Sequence, residues 1–178
     1  MKYPIIILIL TLSFISCTSP EPRKPILRKS STFLQESIQR NKIINKVEEA
    51  ALLDVIKKDT AHSYIASENG FWYYYQQKNT AAKTTPVSKG DRIVYTYQIE
   101  DVNGVMLYTE KEIGKRNYLV DKQEIIPGLH DGLKLMHEGE KVTFLFPSHK
   151  AYGYAGYKKI NGNQPLLFTV AIKEIIKN

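Results

Sequence analysis

Hydrophobic and polar positions alternate in several short stretches of this chain. Val142, Phe144 and Phe146 occupy every second position, which predicts a strand with one buried face. Leu166, Phe168, Val170 and Ile172 repeat the pattern in a final strand running from about Leu166 to Ile176. Ile93, Tyr95, Tyr97 and Ile99 share one face of a third strand. An aromatic run from Phe71 to Gln77 follows the turn Glu68-Asn69-Gly70 and reads as a fourth. Asn103-Gly104 is a two-residue hairpin signal, because both positions tolerate positive φ. It predicts short strands near Val105 to Thr109 and Asn117 to Val120.

Two stretches carry helical spacing instead. Ser30-Ser31 can cap a long helix ending near Lys58, with Ile44, Val47, Ala51 and Val55 along one face. Clean heptads are absent, so packing on its own domain or on a partner is favoured over a coiled coil. The second helix is short. Pro127 suits a first helical position, where its missing N–H costs nothing. Leu129, Leu133 and Met136 then recur on one face, and Gly139 is expected to end the helix in a left-handed cap. Several antiparallel strands with one short helix make an α+β fold, preceded by a helical arm.

The amino terminus follows another rule. Tyr3 to Ile15 is almost wholly apolar and follows Met1-Lys2. At about 1.5 Å per residue it is too short for a hydrocarbon core of about 30 Å, and it fits the apolar region of a secretory signal. Phe14-Ile15-Ser16-Cys17 looks like a lipobox, in which cleavage precedes a cysteine that carries lipid. The other reading is an ordinary signal in which Cys17 is incidental. Pro20, Pro22 and Pro25 then mark an extended tether. The expected organisation is a lipoprotein signal over 1–16, a tether over 17–30, a helical arm over 31–67 and a folded domain over 68–178.

Composition narrows the function. The 178 residues are 43% hydrophobic and hold a single cysteine, so no internal disulfide can form. The net charge is +7, but its excess is scattered, as in Arg23-Lys24, Lys57-Lys58 and Lys158-Lys159. Nucleic-acid binding concentrates charge along one stripe, and no such partner is expected. His62, His130, His137 and His149 show no metal spacing, and neither a nucleophile elbow nor a phosphate-binding glycine loop occurs. Twelve tyrosines favour strands and pocket walls, since each has an apolar body and a polar tip.

The densest motif is KQEIIPGLHDGLKLMHEGEKVTFLFPSHKAYG, from Lys122 to Gly153. It resembles the FKBP family of peptidyl-prolyl cis/trans isomerases, matching at Lys122, Ile125, Ile126, Gly128, Leu129, Gly132, Leu133, Met136, Gly139, Glu140, Lys141, Ala151, Tyr152 and Gly153. Gly90-Asp91-Arg92-Ile93-Val94-Tyr95-Thr96-Tyr97 and the carboxy-terminal Ile160-Asn161-Gly162-Asn163 and Leu166-Leu167-Phe168-Thr169-Val170 extend the likeness. The signal, arm and single domain together also resemble the gliding-motility-associated isomerase lipoproteins.

The resemblance implies a twisted sheet wrapped around a short helix and a prolyl isomerase that needs no cofactor. It implies that Tyr97, Ile126 and Tyr152 carry the reaction, with the Ile126 N–H bonding the substrate carbonyl. Leu107, Tyr108, Tyr118, Ile125, Leu129, Ile160 and Phe168 would form the substrate walls. Two departures stand out: Tyr108 replaces the family's aspartate, and Leu129 its tryptophan. They keep open a second reading, a binding or chaperone module with a weakened pocket. The expected clients are proline-containing proteins of the cell envelope. The expected location is a membrane reached through a lipid on Cys17, facing the periplasm, with self-association through the arm as a further possibility.

Overall fold

The computed structural model describes residues 30–80 and 86–178 of the chain. The signal, Cys17 and nearly all of the tether lie outside the described residues. The chain divides into two units, Met1–Glu36 and Ser37–Asn178. The described end of the first opens helix α1 (Ser30–Lys58); all contacts below lie within the second.

The sheet is antiparallel throughout. Its strands are β1 (Ile65–Ser67), β2 (Phe71–Gln77), β3 (Arg92–Asp101), β4 (Met106–Tyr108), β5 (Arg116–Leu119), β6 (Lys141–Phe146) and β7 (Leu166–Ile176). The order is β1-β2-β6-β7-β3-β4, and β5 also pairs with β3. Both β4 and β5 pair along β3: Ile99 faces Tyr108 on β4, and Tyr95 faces Arg116 on β5. Between β4 and β5 lies helix α2 (Glu110–Ile113), whose first turn is closed by a Thr109–Glu112 capping box. Strand β1 begins at Ile65, inside the span expected for the arm, and its register with β2 makes it part of the sheet.

Helix α3 (Pro127–Leu133) packs on β6, and two glycines set how closely. A Cβ on Gly132 would stand 2.9 Å from Phe144 Cε1, and one on Gly128 would stand 2.8 Å from the Lys150 carbonyl oxygen. Leu129, Leu133 and Met136 are buried against Phe144, Phe146, Phe168 and Val170 in one core. Phe144 and Phe146 stack with centroids 5.4 Å apart, and Phe71 meets both edge-on.

Three expectations need correction. Helix α3 ends at Leu133, six residues before Gly139. Beyond it the chain tightens: the Leu135 N–H donates to the Gly132 carbonyl, and the Met136 N–H to that of Leu133. Tyr75 donates its hydroxyl to the Leu135 carbonyl at 3.1 Å, and the buried Glu140 carboxylate accepts from the His137 N–H at 2.8 Å. These bonds satisfy groups that a longer helix would have engaged. Gly139 does adopt φ +80°, but in the turn before β6. Second, β6 is buried on both faces, from Val142 to Phe146, because it is an inner strand between β2 and β7. Third, α1 is rotated from the expected face: Glu48 and Leu52 are buried, whereas Val47 is 65% exposed.

Glu48 explains that rotation. Its carboxylate accepts from the Ser148 N–H and the Ser148 hydroxyl, each at 2.7 Å. Ser148 opens the 3₁₀ turn Ser148–Lys150, whose first N–H groups lack partners of their own. A buried carboxylate is retained because it satisfies both donors. After α1, Asp59 accepts from the Tyr64 hydroxyl at 2.7 Å, and His62 stacks on Tyr74 at 4.1 Å, which ties the connection to β2.

Candidate active site

The core face of β3 continues outward into an open cavity of about 570 Å³. Tyr95 and Tyr97 enter it from β3, Arg116 and Asn117 from β5, and Tyr152 from the turn after Ser148–Lys150. Gln123, Glu124, Ile125 and Ile126 line it from the loop before α3, and Leu129 from the helix itself. The hollow is not filled by the protein's own side chains.

Its aromatic wall is a ladder of rings. Tyr95 stacks on Tyr97 at 5.8 Å, Tyr97 on Phe168 at 5.7 Å, Tyr152 on Phe168 at 6.4 Å, and Tyr152 on Tyr157 at 5.5 Å. Tyr97 and Tyr152 face the same cavity, and the two phenols influence each other electrostatically. Burial raises both phenols above the ordinary tyrosine range, so each keeps its proton at neutral pH. Two neutral phenols can donate to a carbonyl oxygen and cannot act as a charged base.

The loop supplies a backbone donor. Proline disfavours helical backbone in the residue before it, and Ile126 accordingly takes φ −56° and ψ 138°. Its carbonyl accepts from the His130 N–H at 3.0 Å. Its own N–H meets no acceptor among the described residues. The loop is fixed from behind. His130 bridges Asp121 at 2.9 Å and Asp131 at 3.1 Å, and Lys134 also reaches Asp121. Lys134, with help from His130, holds the Asp121 carboxyl below its usual range. Burial pushes Asp131 upward, but hydrogen bonds from His130 and Lys150 outweigh it and leave the carboxyl lowered. Asp121 itself sits at φ +57°, a left-handed position that turns the chain toward the cavity.

The residues expected from sequence separate into two groups. Tyr97, Ile125, Ile126, Leu129 and Tyr152 surround the cavity. Tyr118, Ile160 and Phe168 are buried in the core and do not line it. Phe168 supports the wall by stacking under Tyr97 and Tyr152, and the Tyr118 hydroxyl accepts from the Asp121 N–H at 3.1 Å. Leu107 and Tyr108 are half-buried outside the lining. The Tyr108 hydroxyl accepts from the Lys159 N–H at 3.1 Å, and the Lys159 ammonium lies 5.0 Å from its ring centre. Sequence reasoning missed Tyr95, Arg116, Asn117, Gln123 and Glu124. Tyr95 had a signal, since it shares the strand face of Tyr97; the four polar residues had none.

The profile of the family described as FKBP-type peptidyl-prolyl cis-trans isomerase matches residues 83–173, which include every residue lining this cavity. The chain belongs to that family. Peptidyl-prolyl cis-trans isomerase FKBP9 of Homo sapiens is 31% identical over 90 residues, covering 49% of this chain and 16% of that protein. The FKBP-type isomerase FkpA of Aeromonas hydrophila is 32% identical over 114 residues, covering 63% of this chain and 40% of that one. This FKBP chain therefore spans well under half the length of either curated relative. Among solved structures, FkpA from Escherichia coli superposes with a TM-score of 0.60 at 20% identity, covering 99% of this chain and 83% of the other. An isomerase from Pseudomonas syringae pv. tomato gives 0.60 at 18% identity, covering 76% of this chain and 96% of the other. At those identities the structures establish the FKBP fold.

Proposed function

We propose that this FKBP catalyses cis/trans isomerisation of X-Pro bonds in protein clients. The observation that carries the reading is the open cavity itself, with the Ile126 N–H, unpartnered among the described residues, on one side and protonated Tyr97 and Tyr152 on the other. The barrier to rotation is about 18–20 kcal/mol and arises from amide resonance, so no bond need break. An X-Pro bond already reaches cis at a cost of about 0.5–1 kcal/mol. In the proposed reaction the prolyl ring rests on Leu129 and the tyrosine wall. The Ile126 N–H holds the carbonyl on the far side of proline, and the phenols donate to the oxygen of the rotating amide. Stripping water from that amide weakens its resonance, and the wall holds the twisted form.

The test is direct exchange measurement on X-Pro peptides. Tyr152→Phe is expected to lower kcat/KM about tenfold, and Tyr97→Ala further, because it also removes a wall. An uncatalysed rate at high protein concentration would overturn the reading. It would favour a non-enzymatic binding module, a reading supported by the positions of Leu107 and Tyr108 outside the cavity.

The same proposal includes a setting. The apolar leader and Cys17 support a lipid-anchored protein of the cell envelope, facing the periplasm, whose clients are envelope proteins such as those of a gliding apparatus. Helix α1 leaves Ile38, Ile43 and Val47 exposed, which supports self-association through the arm. Sedimentation of the full chain tests the last point: a concentration-independent monomer removes it.

A further inference from the structure

Arg116 is out of keeping with its surroundings. It faces Tyr95 directly across the β3–β5 pair, on the strand face that also carries Ile93, Tyr97 and the buried Tyr118. Those neighbours build the core and the aromatic wall, whereas Arg116 is exposed at the point where that face opens into the cavity. No carboxylate among the described residues lies within ion-pair distance of its guanidinium. Its charge is nonetheless felt at both the Tyr95 and Tyr97 hydroxyls, where it opposes the effect of burial. One carboxylate, Glu124, also lines the cavity.

We infer that Arg116 is a specificity residue that selects clients with an acidic side chain next to the isomerising proline. The inference rests on the isomerase reading above and names its substrate class. A planar guanidinium with free donors can take a carboxylate in a two-pronged bond, which a neutral amide cannot reproduce. The residue preceding proline is the nearest neighbour of the rotating amide. Its side chain therefore passes the rim next to Tyr97, where Arg116 stands.

The experiment compares Glu-Pro, Gln-Pro, Lys-Pro and Leu-Pro peptides of otherwise identical sequence, using the full chain and a protease-free exchange readout. Wild type is expected to favour Glu-Pro over Gln-Pro by about threefold to fivefold in kcat/KM, the range of a solvent-exposed ion pair. The preference should shrink between 20 mM and 500 mM salt, since screening weakens exposed pairs. Arg116→Gln should bring the ratio to about one, Arg116→Lys should restore part of it, and Arg116→Glu should shift it toward Lys-Pro. Each ratio is taken within one variant, so a general loss of turnover does not enter it. If Leu-Pro is turned over but the Glu-to-Gln ratio is the same in wild type and Arg116→Gln, Arg116 has no selective role and the inference fails alone. If no peptide is turned over, the isomerase reading fails and takes the inference with it.

Discussion

At the scale of single residues, the candidate site presents to its cavity phenols that keep their protons. Tyr97 and Tyr152 are raised by burial, and Tyr95 is raised in the same way. Each therefore favours its neutral form more in the folded chain than in the unfolded one. The stability they contribute is fully present below the ordinary tyrosine value near 10 and is lost as pH rises from there toward their folded values. Turnover of an X-Pro peptide should accordingly stay level from pH 7 to pH 10. Over the same range, absorbance at 295 nm should reveal fewer tyrosinates than twelve free tyrosines would give. A fall in kcat/KM with a midpoint near 10 would show that the phenols are not shielded. Ile126 was legible through its place in the family motif, and Pro127 fixes its extended backbone whatever the rest of the chain does. Arg116 was not: a strand arginine gains meaning only from the residue paired across from it.

Elements translate these residues into geometry. Helix α3 can rest on β6 only because positions 128 and 132 lack side chains on the facing surface. Gly132→Ala would raise intrinsic helix propensity by about 1 kcal/mol, yet its methyl would meet the Phe144 ring at 2.9 Å within a close-packed core. Overpacking costs about 1–3 kcal/mol and wins, so the variant should unfold at lower denaturant with an unchanged m-value. An unchanged midpoint would mean that the helix shifts freely. The docking of α1 depends on Glu48 in the same specific way. Glu48→Ala leaves the Ser148 N–H and hydroxyl without their acceptor, at a cost of about 2–3 kcal/mol. Amide exchange over residues 44–56 should accelerate, with β6 and β7 little changed. Equal acceleration in all three would show that α1 and the sheet open as one unit. Periodicity located both helices but misjudged their limits and facing. It could not register that Tyr75 and Glu140 would occupy the groups beyond Leu133, or that a glutamate would be the most buried charge on α1.

On the scale of the whole molecule, a lipid tether would decide where a client meets the cavity. Among the described residues no helix is long and apolar enough to cross a membrane. A single acyl chain gives only marginal, reversible binding, so a lipidated Cys17 would need two chains or a basic segment beside it. Arg23, Lys24, Arg28 and Lys29 provide such a segment. Cys17→Ala should move the protein from the membrane pellet to the soluble fraction, with X-Pro turnover retained. Persistence in the pellet would show that lipid is not the anchor.

The alternation of β3 and β7 and the loop-proline-glycine entry to α3 were written in the chain itself. They depend on local spacing and on backbone limits that no neighbour can alter. Which side chains line the cavity was decided only by tertiary structure. Tyr95 and Arg116 come together through strand register, while Phe168 and Tyr118 are drawn beneath the surface by the same pairing. A linear pattern reports that a residue faces inward; it does not report where the inward face stops being core and becomes a binding surface. That boundary is set by how far α3 and its loop extend over the sheet, and contacts distant in the chain fix that reach.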